Sequence, residues 1–487
     1  MPHITVSRTA DGRLTASGDP VCALGHRFPE RHAAGGVFAN WIWTGTELLL
    51  ETDRYSMFPL FVSIAGNRCM VASDLALLLD AGAPTALDYD ALSVFLRLGF
   101  FVGDDTPFSS ISVLPPGATL QWTSSGPRLT REASMPAAVY DGTRDNAIDE
   151  FIARVDRSIA CRLSRAPFTL PLGGDCESRH ILFALVAARC APEACVSVND
   201  PRTQSDVAVA AALCARLGIP HIKIAPLADR DRLEREKNRR THFCADDHAQ
   251  LIALADYLRD VTKVTYDGLA GDLAHGSPLS ADDQASGDGG DGTALAEQIL
   301  DYGGAAVSDD ALAHLLSSEM LRQVPRERAR ARLTSEIRRH LDAPNPLSSF
   351  SFWNRTRRGL ALAPYALMRD VTVYSPYLDA DVFELLAGLP PPMLMDGAFH
   401  ADALARAYPR LANVPYEPKY RHSDRRAWQR RLPRDVISDL LHAPALTGGA
   451  LLPRAVATIL DRNSERPSYA PLAVYLSQLD VLTNRNR

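Results

Sequence analysis

Between residues 168 and 272, apolar runs too short to be helices alternate with helix-length amphipathic stretches. Phe168, Leu170 and Leu172 alternate into Gly173-Gly174, after which Ile181 to Ala188 continues as a helix. Ala194 to Val198 reads as a buried strand ending in Asn199-Asp200-Pro201. The stretch opening at Asp206-Val207-Ala208-Val209-Ala210 reads as a helix stopped by Gly218, and His221 to Ile224 as the next strand. Val261 to Tyr266 predicts one more strand, running into Asp267-Gly268-Leu269-Ala270-Gly271-Asp272. Strand, helix and strand joined by short turns predict a parallel, doubly wound sheet, which takes its ligands at the carboxyl ends of its strands.

The flanks read differently. Thr119 to Trp122 alternates as a strand and meets a Ser124-Ser125-Gly126-Pro127 turn, whereas Ala147 to Leu163 is amphipathic at helical spacing. A boundary near Asp141 to Asp145 therefore divides the chain into 1–140 and 145–487. Beyond residue 293 the pattern is mostly helical. At 487 residues with 46% hydrophobic positions there is enough apolar surface for two cores. A net charge of −6 leaves no basic footprint for nucleic acid. The arginine-rich stretch from Arg322 to Arg339, interleaved with Ala, Glu and Leu, reads as a solvated helix face, with a surface for an acidic partner as the sharper reading.

Eight cysteines without a Cys-x-x-Cys pair sit mostly in apolar runs, which predicts buried free thiols in a reducing compartment. No apolar run approaches a membrane span, and the N-terminus lacks a charged leader followed by an apolar core. Composition thus predicts a soluble cytoplasmic protein with no membrane partner. Ser280 to Gly292, acidic and glycine-rich, reads as a mobile loop next to the last strand end.

Strand, Gly-Gly turn and helix start form a phosphate cradle: N–H groups at a helix N-terminus point outward with partial positive charge, and glycines let a polyphosphate approach. Two glycine-rich strand ends carrying acids, Gly173 to Ser178 and Asp267 to Asp272, then face one pocket. On these residues the chain resembles the asparagine synthetase family, whose ATP-pyrophosphatase domain carries a Ser-Gly-Gly-x-Asp-Ser loop and a later Gly-x-Gly-x-Asp element. Asp53-Arg54-Tyr55 with Pro59-Leu60, Ala72-Ser73-Asp74 and Leu114-Pro115-Pro116-Gly117 resemble landmarks of the family's amidotransferase-type domain.

The resemblance implies an α/β chain: an N-terminal amidotransferase-like (Ntn-type) β-sandwich over 1–140, then a doubly wound ATP-pyrophosphatase domain over 145–487 with a helical C-terminal part. It implies ATP and Mg²⁺ as cofactors. Gly173, Gly174, Asp175, Cys176, Ser178, Val198, Gly268 and Gly271 would bind the nucleotide, and Glu177 and Asp272 the magnesium. Lys419, in Pro415-Tyr416-Glu417-Pro418-Lys419, matches the lysine that stabilises charge on the acyl-adenylate. Tyr374-Ser375-Pro376-Tyr377-Leu378-Asp379 resembles a further landmark, with Thr372 where the family's synthetases place a glutamate that handles ammonia.

Departures from the pattern refine the expectation. The family's glutamine hydrolases use a cysteine directly after the initiator, whereas this chain reads Met1-Pro2-His3 and has Cys22 as its first cysteine, so glutamine is not the expected nitrogen donor. Asp175 stands where the family keeps glycine beside pyrophosphate, and like charge there would limit nucleotide use. Leu269 stands where small-ring β-lactam enzymes keep a catalytic tyrosine, which favours lasso peptide macrolactam formation. The expected activity is an AMP-forming carbon–nitrogen ligase closing a substrate carboxylate onto a substrate amine. Its partners would be a precursor peptide or small carboxylate/amine substrate, with a leader peptidase or peptide-recognition protein beside it. Another amide ligase of a biosynthetic cluster and a catalytically silent binding protein stand as alternatives.

Overall fold

The computed structural model describes residues 1–27, 36–131, 138–199, 204–227, 229–275, 291–302, 307–411, 414 and 470–484. Lys419 and most of the glycine-rich 280–292 stretch lie outside these residues.

The N-terminal part is a sandwich of two five-stranded antiparallel sheets. One contains β1 (His3–Arg8), β2 (Leu14–Gly18), β6 (Phe61–Ala65), β7 (Arg68–Ala72) and β8 (Ser112–Val113) in the order β2-β1-β7-β6-β8. The other contains β3 (Val21–Arg27), β4 (Gly36–Trp43), β5 (Leu48–Thr52), β9 (Ala118–Thr123) and β10 (Gly126–Arg131) in the order β10-β9-β5-β4-β3. Alternation decides which side faces inward: Ile4 and Val6 of one sheet and Trp41, Leu48, Leu50, Leu120 and Trp122 of the other share one core. Each such side chain contributes on the order of 1.5–3 kcal/mol through burial. Helices α1 (Leu75–Asp80) and α2 (Tyr89–Leu98) cover the outer face of the first sheet through Leu75, Leu78, Leu92 and Phe95, packed on Phe61 and Met70.

The Thr143 hydroxyl accepts from Asn146 N and starts α3 (Arg144–Ala160). Then β11 (Thr169–Pro171), α4 (Cys176–Ala187), β12 (Ala194–Val198), α5 (Gln204–Leu217) and β13 (His221–Ile224) follow in turn. The strands pair in parallel in the order β11-β12-β13. Helices α6 (Arg230–Arg240) and α7 (Ile252–Val261) lead to β14 (Val264–Tyr266), which pairs in parallel with β15 (Thr372–Tyr374). The Thr265 hydroxyl donates to Thr169 O at 2.8 Å, setting β14 beside β11.

Here the sequence reading is corrected at one end. Val261 closes α7 rather than opening a strand, because the helix runs on until Thr262 turns extended, and the strand begins three residues later than its β-branched composition predicts. The C-terminal helix Ala470–Asn484 packs back against the N-terminal sandwich, with Tyr475 stacked 4.6 Å from Phe95 and Thr85 donating to Thr483 O.

The arginine-rich stretch keeps exposed arginines, Arg322, Arg338 and Arg339, but many of its guanidinium groups are engaged within the chain. On the helix Arg326–Ile337, Arg326 reaches Glu297 and Asp301, Arg328 reaches Asp90, and Arg332 holds Asp105 at 2.8 Å. Its acidic partners are the chain's own neighbouring helices and the Gly103–Asp105 turn of the N-terminal part. A π-type helix, Ser351–Leu360, follows, and from it Arg357 clasps Asp104 and Gly103 O while Asn354 accepts from Gly103 N at 2.7 Å. Gly103 has φ +56°, and a Cβ there would meet a Glu336 oxygen at 2.9 Å, so turn and seam both require glycine.

Candidate functional site

Where β11 ends, Leu172-Gly173-Gly174 turns the chain into α4. Asp175 is the N-cap of that helix, its carboxylate accepting from Ser178 N at 3.1 Å and from the Ser178 hydroxyl at 2.6 Å. The cap starts α4 five residues ahead of the apolar run that predicts it. It also corrects the reading of Asp175: the side chain is turned onto its own helix rather than into open cradle space. Two loop donors are already satisfied as well. Gly173 N donates to Ser178 Oγ at 3.2 Å, and Gly174 N donates to Asp206 Oδ1 at 2.9 Å, so a carboxylate from α5 stands where an anion would bind.

The second strand end closes on the first. A Cβ at Gly268 would lie 2.6 Å from Glu177 Cβ, and one at Gly271 would lie 2.6 Å from Glu177 Cγ and 3.0 Å from the Tyr377 ring. Only glycine lets the Asp267–Asp272 turn lie flat on Glu177. Ala270 in that turn has φ +73°, a backbone conformation costing on the order of 1 kcal/mol without glycine. Tyr377, fully buried, donates to Glu177 O at 3.0 Å. The structure therefore brings Gly173, Gly174, Asp175, Cys176, Glu177, Ser178, Gly268, Gly271 and Asp272 together. Val198 lies at the end of β12, next in the sheet. Cys176 is buried.

Electrostatically the pocket is a set of crowded carboxylates. Burial pushes Asp267 up to about 6. Burial, then the Glu177 charge, raises Asp272, while Arg355 and His275 lower it in part. Burial of its carboxyl and the Glu177 charge raise Asp175 too, although the residue's exposed outer edge lets water soften the effect. Thr356 of the π-type helix donates to Asp272 at 3.5 Å, and Arg355 beside it is exposed.

Sequence reasoning missed a group of histidines. His275 Nε2 lies 2.8 Å from Glu177 Oε1. Burial alone would lower it, but the bond to Glu177 and the charges of Glu177 and Asp272 leave it raised. His400, on the helix Phe399–Ala407, is fully buried and has a ring nitrogen 3.1 Å from His180 Nδ1. Burial holds both His180 and His400 well below the usual imidazole value. His275 stands three residues after Asp272, which is the one signal that pointed to it; nothing local marks His400.

In the N-terminal sandwich no nucleophile is evident among the described cysteines. Cys22 and Cys69 both lie in the core, and burial pushes their thiols up to about 11 and about 12. Asp53, in the stretch Asp53-Arg54-Tyr55, is structural: it accepts from the N–H groups of Phe38, Tyr55, Ser56 and Met57, and burial still pushes it up to about 6.

Compared with known proteins, residues 22–131 match the family described as a glutamine amidotransferase domain. No curated protein matches the chain. Among solved structures, one titled as the allosteric regulatory enzyme of purine biosynthesis is 14% identical over 48% of this chain and 41% of its own, with a TM-score of 0.15. Glutamine phosphoribosylpyrophosphate amidotransferase from B. subtilis, complexed with ADP and GMP, is 12% identical over 56% of this chain and 71% of its own, with a TM-score of 0.17. The chain thus spans about two fifths of the first of these structures, and neither likeness carries an argument at such TM-scores. With the family match resting on the antiparallel sandwich, the N-terminal part of this chain is a glutamine amidotransferase-like domain.

Proposed function

We propose that the chain is an ATP-dependent, AMP-forming amide ligase that closes a substrate carboxylate onto a substrate amine, with a precursor peptide as the substrate and a macrolactam as the product. The supporting observation is the meeting of Asp175, Glu177, Asp267 and Asp272 at the carboxyl ends of parallel strands against a Gly-Gly helix start. Carboxylates raised by burial and by one another call for a cation, and the helix N-terminus for an anion. A magnesium–pyrophosphate unit offers both, so the residues fit it. Glu177 and Asp272 would hold the ion, which supplies charge neutralisation on the leaving pyrophosphate.

The protein's own work in this reading is positioning. Gly173 and Gly174 N–H groups would exchange Ser178 Oγ and Asp206 for phosphate oxygens, and Arg355 would add positive charge near Asp272. The substrate carboxylate attacks the α-phosphorus and expels pyrophosphate; the substrate amine then attacks the acyl carbon and expels AMP. By the family resemblance Lys419 would stabilise charge in both steps. An amine already on the substrate agrees with buried thiols at Cys22 and Cys69, which leave glutamine without a nucleophile there.

A second reading, a silent nucleotide-binding relic, is favoured by one observation: the loop's donors at Gly173 and Gly174 are satisfied from within. Incubation with ATP, magnesium and a precursor peptide encoded beside the gene separates the two. The ligase reading expects AMP, pyrophosphate and a peptide lighter by one water. Absence of both nucleotide turnover and pyrophosphate exchange would overturn it in favour of the relic.

A further inference from the structure

The histidines around Glu177 make a donor set that a magnesium–nucleotide site does not need. One ligand atom each from Glu177, His275 and His400 lie within 4.8 Å of one another, on α4, on the turn after β14, and on the helix Phe399–Ala407. Glu177 Oε1 and His275 Nε2 are 2.8 Å apart, near the separation of two ligands on one ion. Magnesium selects oxygen ligands, whereas two imidazoles with one carboxylate select zinc and its neighbours.

The set is held in place before any ion arrives. Gly268 and Gly271 pack directly on the Glu177 side chain, and Tyr377 fixes its carbonyl. His400 is wholly buried; one ring nitrogen lies 3.1 Å from His180 Nδ1, and its Nδ1 finds no hydrogen-bond partner among the described residues. A fully buried imidazole nitrogen left without a partner costs on the order of 1–3 kcal/mol unless something binds there. His180, one turn after Glu177 on α4, has the place of the outer partner that orients metal-bound imidazoles.

We propose that Glu177, His275 and His400 form a binding site for a divalent transition ion of the zinc class, with His180 as a positioning residue. Three protein ligands leave a fourth position open for water or a substrate oxygen. Binding breaks the hydrogen bond between Glu177 and His275 and joins three separate segments of the C-terminal part through one ion. The inference does not depend on the ligase reading, although the two share Glu177, so the zinc-class ion and magnesium would compete for that carboxylate.

The test uses the full chain, stripped with a chelator and titrated with Zn²⁺ against a chromophoric competitor in the absence of nucleotide. One equivalent should bind with a micromolar or tighter constant, and millimolar Mg²⁺ should not displace it. His275→Ala, at a partly exposed position, should weaken binding by at least about tenfold, and His180→Phe by a smaller factor. Cobalt loading should give visible ligand-field bands in the wild-type chain that His275→Ala abolishes. Asp272→Asn should leave zinc affinity within a few-fold while impairing nucleotide use, which separates this site from the ligase reading. A wild-type chain binding Zn²⁺ no more tightly than His275→Ala, with both folded by circular dichroism, would overturn the proposal.

Discussion

At the seam between the Gly103–Asp105 turn and the helix Arg326–Ile337, carboxylates meet guanidinium groups; at the ends of β11 and β14, carboxylates meet one another. Both regions bury charge; burial raises Asp105 at the seam as it raises the pocket acids, but Glu336 moves the other way. Burial would raise Glu336, yet a hydrogen bond from His340 and the charges of Arg339 and Arg332 outweigh it and bring it down to about 2. In the pocket, burial alone raises Asp267, and burial together with the Glu177 charge raises Asp272. A depressed acid belongs to structure that is satisfied. A raised one shows that burial outweighs its partners, as at the structural Asp53 and at Asp105 of the seam, and it points to binding only where several raised acids share one pocket.

The sharpest way to break this comparison is to remove one charge from each region. Asp272→Asn should lower ATP–pyrophosphate exchange by orders of magnitude, since it takes a formal charge from a site expected to hold a divalent ion. The same change should leave thermal stability unchanged or slightly raised, because it relieves crowding with Glu177. Exchange at the wild-type rate would place the ion elsewhere. At the seam, Arg357→Ala should have the reverse profile. It leaves Gly103 O without its donor beside a buried hole and leaves Asp104 only the longer contact with Arg131, and should cost about 3 kcal/mol, read from denaturant unfolding. A loss well under 1 kcal/mol would mean the seam contributes no stability through its charges.

Acid titration sharpens the contrast further. The folded-state value of Glu336 is below its usual 4.5, so its contribution is complete above that pH and is lost as pH falls toward about 2, by on the order of 3 kcal/mol. The raised Asp267 contributes with the opposite sign: its stabilisation is present below the usual 3.8 and lost as pH rises through about 6. Unfolding free energies from pH 7 down to 2 should therefore show Glu336→Gln flattening the acid limb and Asp267→Asn flattening the limb near pH 4–6. If each variant reproduces the wild-type curve, neither carboxylate is perturbed as described. The smallest effect concerns the cap. Asp175→Ala should cost about 1 kcal/mol of stability through lost N-capping of α4. Tightened nucleotide binding in that variant would show that the carboxylate does repel phosphate despite its turn toward Ser178.

Much of the site was legible because its parts are local. Gly173 to Ser178 and Gly268 to Asp272 announce themselves as glycine-rich acidic strand ends, and β12 and β13 begin and end where the short apolar runs do. What escaped was non-local or ambiguous. Val261 has the composition of a strand and the position of a helix end, which only packing resolves. Asp175 reads as an intruding charge until Ser178 is seen to donate its N–H and hydroxyl to the carboxylate that caps α4. The arginines look solvated because their partners, Asp90 and Asp105, come from the other end of the chain. His400 carries no local mark at all.

The return of the helix Ala470–Asn484 to the sandwich has a consequence for how the protein is made. Tyr475 fills the space beside Phe95, and Thr85 bonds to Thr483 across 398 positions of sequence. The apolar layer around Phe95 thus lacks one wall until the residues from 470 on have been synthesised. At elongation rates of about 5–20 residues per second, the side of Phe95 that Tyr475 covers waits tens of seconds for its partner. Truncation before residue 470 leaves that side of Phe95 without its cover.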